Sequence, residues 1–122
     1  MAEAERPVTS KAEEKLFCEL IAAAAMGMGL RAHWCPDSRK CVGQRGFPDL
    51  VIAGPRGHIF REVKMPAGET TPDQDMWGWT LEKGSRVLVP RTWETWRPAD
   101  WDSGLVGAQL VQLLAPPVLA GD

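Results

Sequence analysis

Apolar side chains recur at Leu16, Phe17, Leu20, Ile21 and Ala24, a spacing of three and four that lines one face of an α-helix. The pattern predicts a helix over residues 11–26, buried through those five positions. Ser10 stands before it and Glu13 follows three residues on, the pairing of a capping box. Gly27 or Gly29 ends it by accepting a left-handed conformation. Residues 30–34 read as a short strand, and 35–46 as a polar loop rich in turn formers. The period then changes to two. Residues 48–53 and 58–64 predict two strands joined by the turn residues Gly54, Pro55, Arg56 and Gly57. Thr71, Pro72 and Gln74 mark the start of a second helix, with Thr71 as cap and Pro72 in the first helical position; it runs to Gly84. Residues 86–89 predict another strand, 92–97 one more short strand, and 101–114 a terminal helix stopped by Pro116 and Pro117. The order α-β-β-β-α-β, with a late strand and helix appended, predicts an α/β (α+β) domain with a mostly antiparallel sheet flanked by helices.

The hairpin carries the candidate chemistry. Taking the four turn residues literally sets Ala53 opposite His58, Val51 opposite Phe60, and Asp49 opposite Glu62. Opposed side chains on an antiparallel pair have Cβ atoms about 4.5–5.5 Å apart. Alternation puts Lys64 on the face of Glu62. The other face receives Leu50, Ile52, Ile59 and Val63, an apolar set fit for a core, with Arg61 as its one misfit. Opposed carboxylates repel, so a compensating charge is expected. A divalent cation supplies it: oxygen ligands suit magnesium or manganese, and Lys64 adds a positive charge beside them. The plain alternative is that Asp49 starts a strand and that Glu62 and Lys64 form a solvated edge.

With 122 residues the chain suits a single domain, its core over about 9–114. Apolar residues at 44% and charged residues at 25% are ordinary for a soluble globular protein. The apolar run at residues 20–30 is too short to span a bilayer. Glu3 and Glu5 stand where a secretory leader would be basic, followed by no apolar stretch, so no export signal is expected. The three cysteines, Cys18, Cys35 and Cys41, are then expected to be reduced thiols in a cytoplasm. The net charge of −2 argues weakly against nucleic acid, but residues 30–64 hold seven basic side chains against three acidic ones. Distribution counts for more than the sum.

The residues Gly46-Phe47-Pro48-Asp49-Leu50-Val51-Ile52, followed by Phe60-Arg61-Glu62-Val63-Lys64, resemble the PD-(D/E)XK nuclease signature. Thr71-Pro72-Asp73-Gln74 with Trp77, and then Trp96-Arg97-Pro98-Ala99-Asp100-Trp101, narrow the resemblance to the stand-alone VRR-NUC family of phages and bacteria, relatives of archaeal Holliday junction resolvases. The resemblance implies a restriction-endonuclease-like core with a central mixed sheet, and hydrolysis of DNA phosphodiesters with Mg2+ or Mn2+. It implies that Asp49 and Glu62 bind metal, with the Val63 carbonyl as a further ligand, and that Lys64 is the signature lysine. The family also has a glutamate in its first helix, followed by apolar residues three, four and seven positions on. Glu13 keeps that relation, with Leu16, Phe17 and Leu20 behind it; Glu14 and Glu19 do not. Gln74 corresponds to a glutamine near the family's active site. Helix capping is the competing role for both Glu13 and Gln74.

Within that reading the loop bearing Arg39, Lys40 and Arg45 is the candidate for gripping DNA phosphates. The expected activity is structure-selective cleavage of branched DNA by a homodimer in the cytoplasm of a bacterium or phage-infected host. A nicking or flap nuclease of phage replication or packaging is the alternative within the enzymes. A non-catalytic nucleic-acid-binding module with the same fold is the alternative outside them. His33, Cys35 and Cys41 match no common zinc-finger spacing. Trp77 is expected on the buried side of the second helix, and Trp79 outside it at a dimer contact.

Overall fold

The Gly54–Gly57 turn joins the two central strands of a four-stranded sheet. The computed structural model describes residues 10–35, 43–84 and 90–114. Helix α1 (Ser10–Gly27) precedes strands β1 (Arg31–Trp34), β2 (Leu50–Gly54) and β3 (Gly57–Val63); helix α2 (Pro72–Lys83) leads to β4 (Trp93–Trp96), and α3 (Pro98–Asp102) and α4 (Leu105–Gln112) follow. The strands lie in the order β1-β2-β3-β4. The first two pairings are antiparallel and β3 with β4 is parallel, so the domain is α+β with a mixed sheet flanked by helices. A parallel neighbour requires a crossover connection, and α2 lies in it.

The register of the hairpin is the expected one: Ala53 pairs with His58 and Val51 with Phe60. Leu50, Ile52, Ile59 and Val63 are buried against Phe17, Ile21 and Ala25 of α1 and Val106 and Leu110 of α4 in one apolar core. The opposite face of β3, with Phe60 and Glu62, meets α2 and the loop before β2.

Arg61, the misfit of the apolar face, is fully buried. Its Nη2 donates to Gln109 Oε1 at 3.0 Å and its Nη1 to the Thr92 carbonyl at 3.2 Å. Glu94 lies 3.7 Å away, and the guanidinium sits over the Trp96 ring. Gln109 also accepts from Trp96 Nε1 and donates to Glu94. Burial lowers the Arg61 pKa to about 10, still charged at neutral pH. A charge in a core is tolerated only when paired and hydrogen-bonded. Here the pairing ties α4 to β3 and β4.

Two expectations are corrected. Helix α1 is turned by one position: Phe17, Cys18, Ile21, Ala22 and Ala25 are buried, while Leu16 and Leu20 are 64% and 49% exposed. The short strand expected at 92–97 is present as Trp93–Trp96, the fourth of the sheet, while the strand expected at 86–89 falls outside the described residues. The single terminal helix is two, because Gly104 takes φ +90° between them, a conformation that interrupts a right-handed helix. The Ser10 side chain, the expected cap of α1, also lies outside the description. Among the described residues no helix is long and apolar enough to cross a membrane.

Candidate active site

The ladder of β2 and β3 ends at Leu50 with Arg61. Pro48 has no N–H to carry it further. Asp49 fills the gap with its side chain: Oδ2 accepts from the Val63 amide at 2.9 Å. That bond holds the carboxylate across the strand end beside Glu62, which is 1% exposed. Glu62 Oε2 accepts from Gln74 Nε2 at 2.8 Å, whereas Oε1 is buried with no hydrogen-bond partner. Burial first, and Asp49 second, raise the Glu62 pKa to about 9; Lys64 opposes the shift. Metal-free, at neutral pH, Glu62 is therefore protonated. Lys64, 9% exposed, is fixed at its backbone, where its amide donates to the Trp96 carbonyl at 3.0 Å.

Gln74 caps α2 and reaches Glu62 at once. Its backbone amide donates to Thr71 Oγ1 and its Oε1 accepts from the Thr71 amide, a complete capping box. The remaining Nε2 faces Glu62. Thr71-Pro72-x-Gln74 thus builds the start of α2 and aims one donor at the buried carboxylate. Gly46 brings the preceding loop against this turn. Its φ is +88°, and a Cβ there would lie 2.5 Å from the Asp73 carbonyl carbon and 2.7 Å from Gln74 N, so only glycine permits the approach.

The turn of α1 changes which glutamate reaches the site. Glu13 is exposed. Glu14 is partly buried, and its carboxyl pKa is raised by burial, then pulled back by Lys64 and pushed by Asp49. Its Oε2 lies 3.7 Å from the position of a Cβ on Gly68, the same position that comes 3.4 Å from Lys64 Cδ. The structure brings together Glu14, Asp49, Glu62, Lys64 and Gln74, with the Val63 main chain at the Asp49 carboxylate. It leaves Glu13 outside. The signal for Glu14 was Cys18 and Ala22, small residues that bury as readily as leucine when the helix lies close to a sheet.

The expected phosphate grip is described only in part. Arg39 and Lys40 lie outside the described residues. Arg45 is exposed, its carbonyl accepts from Trp77 Nε1 at 3.0 Å, and it lines an open groove with Gln44, Asp73, Met76, Trp77 and Thr80. Trp77 is half-buried as expected, and Trp79 is 61% exposed. Cys35 is disulfide-bonded, where a reduced thiol was expected. Cys18 is a free buried thiol, its pKa raised to about 12 by burial and then by Asp49, which leaves it inert as a nucleophile.

The residues present fit a hard divalent cation. Glu62 Oε1 is buried without a hydrogen-bond partner beside a second carboxylate, and the folded chain neutralises the pair with a proton; a cation displacing that proton would neutralise it instead and give Oε1 a partner. Among the described residues no group of three or more His, Cys, Asp or Glu is arranged to hold a metal ion. The chain thus offers two carboxylates, with water, main-chain and phosphate oxygens left to complete the shell, a set that magnesium commonly takes. Comparison of the chain with protein-family models, curated proteins and solved structures gave no match.

Glu14 and Glu13 are separable by mutation. If the pair holds a divalent cation, Glu14→Gln should weaken Mn2+ binding about 10–100-fold, the usual cost of losing a group just outside the ligand shell. Glu13→Gln should leave the Mn2+ titration unchanged. The reverse pattern would return the role to Glu13.

Proposed function

We propose that this chain is a divalent-metal-dependent DNA endonuclease with a restriction-endonuclease-like core, allied to the VRR-NUC group of PD-(D/E)XK nucleases. The observation that carries the reading is Glu62: a buried carboxyl with one oxygen unpartnered, set against Asp49 and next to Lys64. A fold stabilised for its own sake gains nothing from opposed carboxylates, and a DNA-binding module needs positive charge there. The parallel β3-α2-β4 unit and the ordered motif set support the same reading.

Asp49 and Glu62, with the Val63 carbonyl that the resemblance implies, would hold Mg2+ or Mn2+. When bound, the cation supplies Lewis-acid stabilisation of the phosphate and lowers the pKa of water. The chain does the rest. Asp49, pinned by the Val63 amide, and Glu62, pinned by Gln74, are pre-oriented by bonds made before substrate arrives. Lys64 is placed to stabilise negative charge developing on the phosphate oxygens or to orient the attacking water. Glu14 adds its charge to the field around that ammonium.

The proposal extends to branched or otherwise structured DNA as substrate and to a two-fold homodimer, for which exposed Trp79 offers a contact. The test is incubation of the protein with labelled duplex, single-stranded, flap and four-way-junction DNA, with and without Mg2+ or Mn2+. Metal-dependent cleavage is expected, strongest on a branched form. No cleavage of any of them, or full cleavage in excess chelator, would end the reading.

Lys64→Ala should lower kcat about 10²–10³-fold, as removal of one donor to a developing charge does, with DNA affinity nearly unchanged. The check is a single-turnover rate at saturating DNA beside a binding titration. A normal rate at saturation would make Lys64 a DNA contact only.

A further inference from the structure

The segment after β3 is irregular, contains Pro66 and Gly68, and borders Lys64 and Glu14. It is held from the end of the neighbouring strand β4. Arg97, the first residue after β4, donates from Nη1 to the Met65 carbonyl at 2.8 Å and the Gly68 carbonyl at 2.7 Å, with the Pro66 carbonyl at 3.4 Å. The Gly68 amide donates back to the Met65 carbonyl at 2.9 Å, closing the turn. Arg97 is itself fixed: its amide donates to Asp100 Oδ2 at 2.8 Å, where it caps α3. The residue before it, Trp96, accepts the Lys64 amide. The end of β4 therefore grips Lys64 twice, through the main chain at Trp96 and through the loop at Arg97.

We propose that Arg97 is a positioning residue: its guanidinium clamps the 65–68 turn and thereby sets Lys64 and Glu14 for phosphodiester hydrolysis, an inference that rests on the nuclease reading above. Arg97 Nη1 gives its hydrogens to neutral carbonyls where a carboxylate would have been a stronger partner. Charge-assisted bonds to a turn with no regular secondary structure convert a mobile segment into a fixed one. The turn begins at Met65, whose amide donates to the Glu14 carboxylate, and it passes so close that a Cβ added to Gly68 would stand 3.4 Å from the Lys64 stem and 3.7 Å from Glu14. Release of the turn loosens the surroundings of both side chains. Misplacement of a reacting group by about 1 Å costs on the order of 10²-fold in rate.

The experiment compares wild type, Arg97→Gln and Arg97→Lys in three measurements: hydrogen exchange of the Gly68 amide in the metal-free protein, Mn2+ affinity by titration, and steady-state cleavage of a labelled junction. Arg97→Gln should exchange Gly68 at least about tenfold faster and lose about 10–100-fold in kcat, with KM and Mn2+ affinity within about threefold of wild type. Arg97→Lys should recover part of both losses, because an ammonium offers three donors to the same carbonyls from a stem one bond shorter. If Arg97→Gln does not fold, Arg97→Lys alone carries the comparison, with a faster Gly68 exchange and a kcat below wild type expected. A loosened turn with an unchanged kcat overturns the proposal while wild-type cleavage keeps the nuclease reading. A rise in KM alone makes Arg97 a DNA contact and overturns it too. A wild type that neither binds Mn2+ nor cleaves removes both.

Discussion

Asp49→Ala and Glu62→Ala should each abolish cleavage while leaving the chain folded and no less stable than the metal-free wild type. Metal Lewis-acid stabilisation is worth several kcal/mol, and about 1.4 kcal/mol is tenfold in rate, so the loss should be on the order of 10³-fold or more. Stability should move the other way. Each variant removes part of the penalty that burial and the neighbouring Asp49 place on the Glu62 charge, a penalty that near neutral pH appears as the proton the folded chain must hold and the unfolded chain releases. Asp49→Ala also gives up the bond to the Val63 amide, worth about 1 kcal/mol, so its gain should be the smaller. The measurements are a cleavage assay at saturating Mg2+ and thermal melts in chelator. A drop of several degrees in both melts, with activity retained, would make the pair structural.

The second large effect is a pH dependence of the metal-free protein. Glu62 is raised from an ordinary carboxylate value to about 9, by burial before Asp49. Between roughly pH 4.5 and 9 the folded chain therefore holds a proton that the unfolded chain has released. Folding stability from this group is complete below the unfolded pKa and declines as pH rises toward 9. Glu62→Gln keeps the partner of Gln74 and can donate to Asp49, yet carries no charge. It should match wild type near pH 4 and exceed it by about 1–3 kcal/mol at pH 8. A cation at the pair must displace the proton. Metal affinity should consequently rise with pH up to about 9, with close to one proton released per cation at pH 7–8, read by calorimetry in buffers of different ionisation enthalpy. Identical pH profiles for Glu62→Gln and wild type in chelator would show that Glu62 is not held protonated.

The hairpin was readable because its turn is short and its residues are specific. Gly54, Pro55, Arg56 and Gly57 leave one register, and the register alone decides that Glu62 faces away from Ile59 and Val63. The start of α2 was readable for the same reason, since Thr71, Pro72 and Gln74 each act on the backbone next to them. Long-range choices were not readable. Helix α1 has two apolar stripes, Leu16 with Leu20 and Phe17 with Cys18 and Ile21, and only the sheet decides which one is covered. That choice moved the acidic residue at the site from Glu13 to Glu14. Arg61 looked like an error in an apolar face because its partners Gln109, Glu94 and Trp96 lie far along the chain. The same holds for Arg97, whose contacts reach back about thirty residues.

One side chain, Gln74, closes the first turn of α2 and holds Glu62. Helix ends open far more often than whole domains unfold, at a free-energy cost well below the global one. Each such opening takes Gln74 out of its capping box and frees the carboxyl it restrains. The fraction of molecules with an assembled site is therefore set by the fraying of one helical turn. A chain that is fully folded by every global measure can still, for part of the time, leave the Glu62 carboxyl unheld.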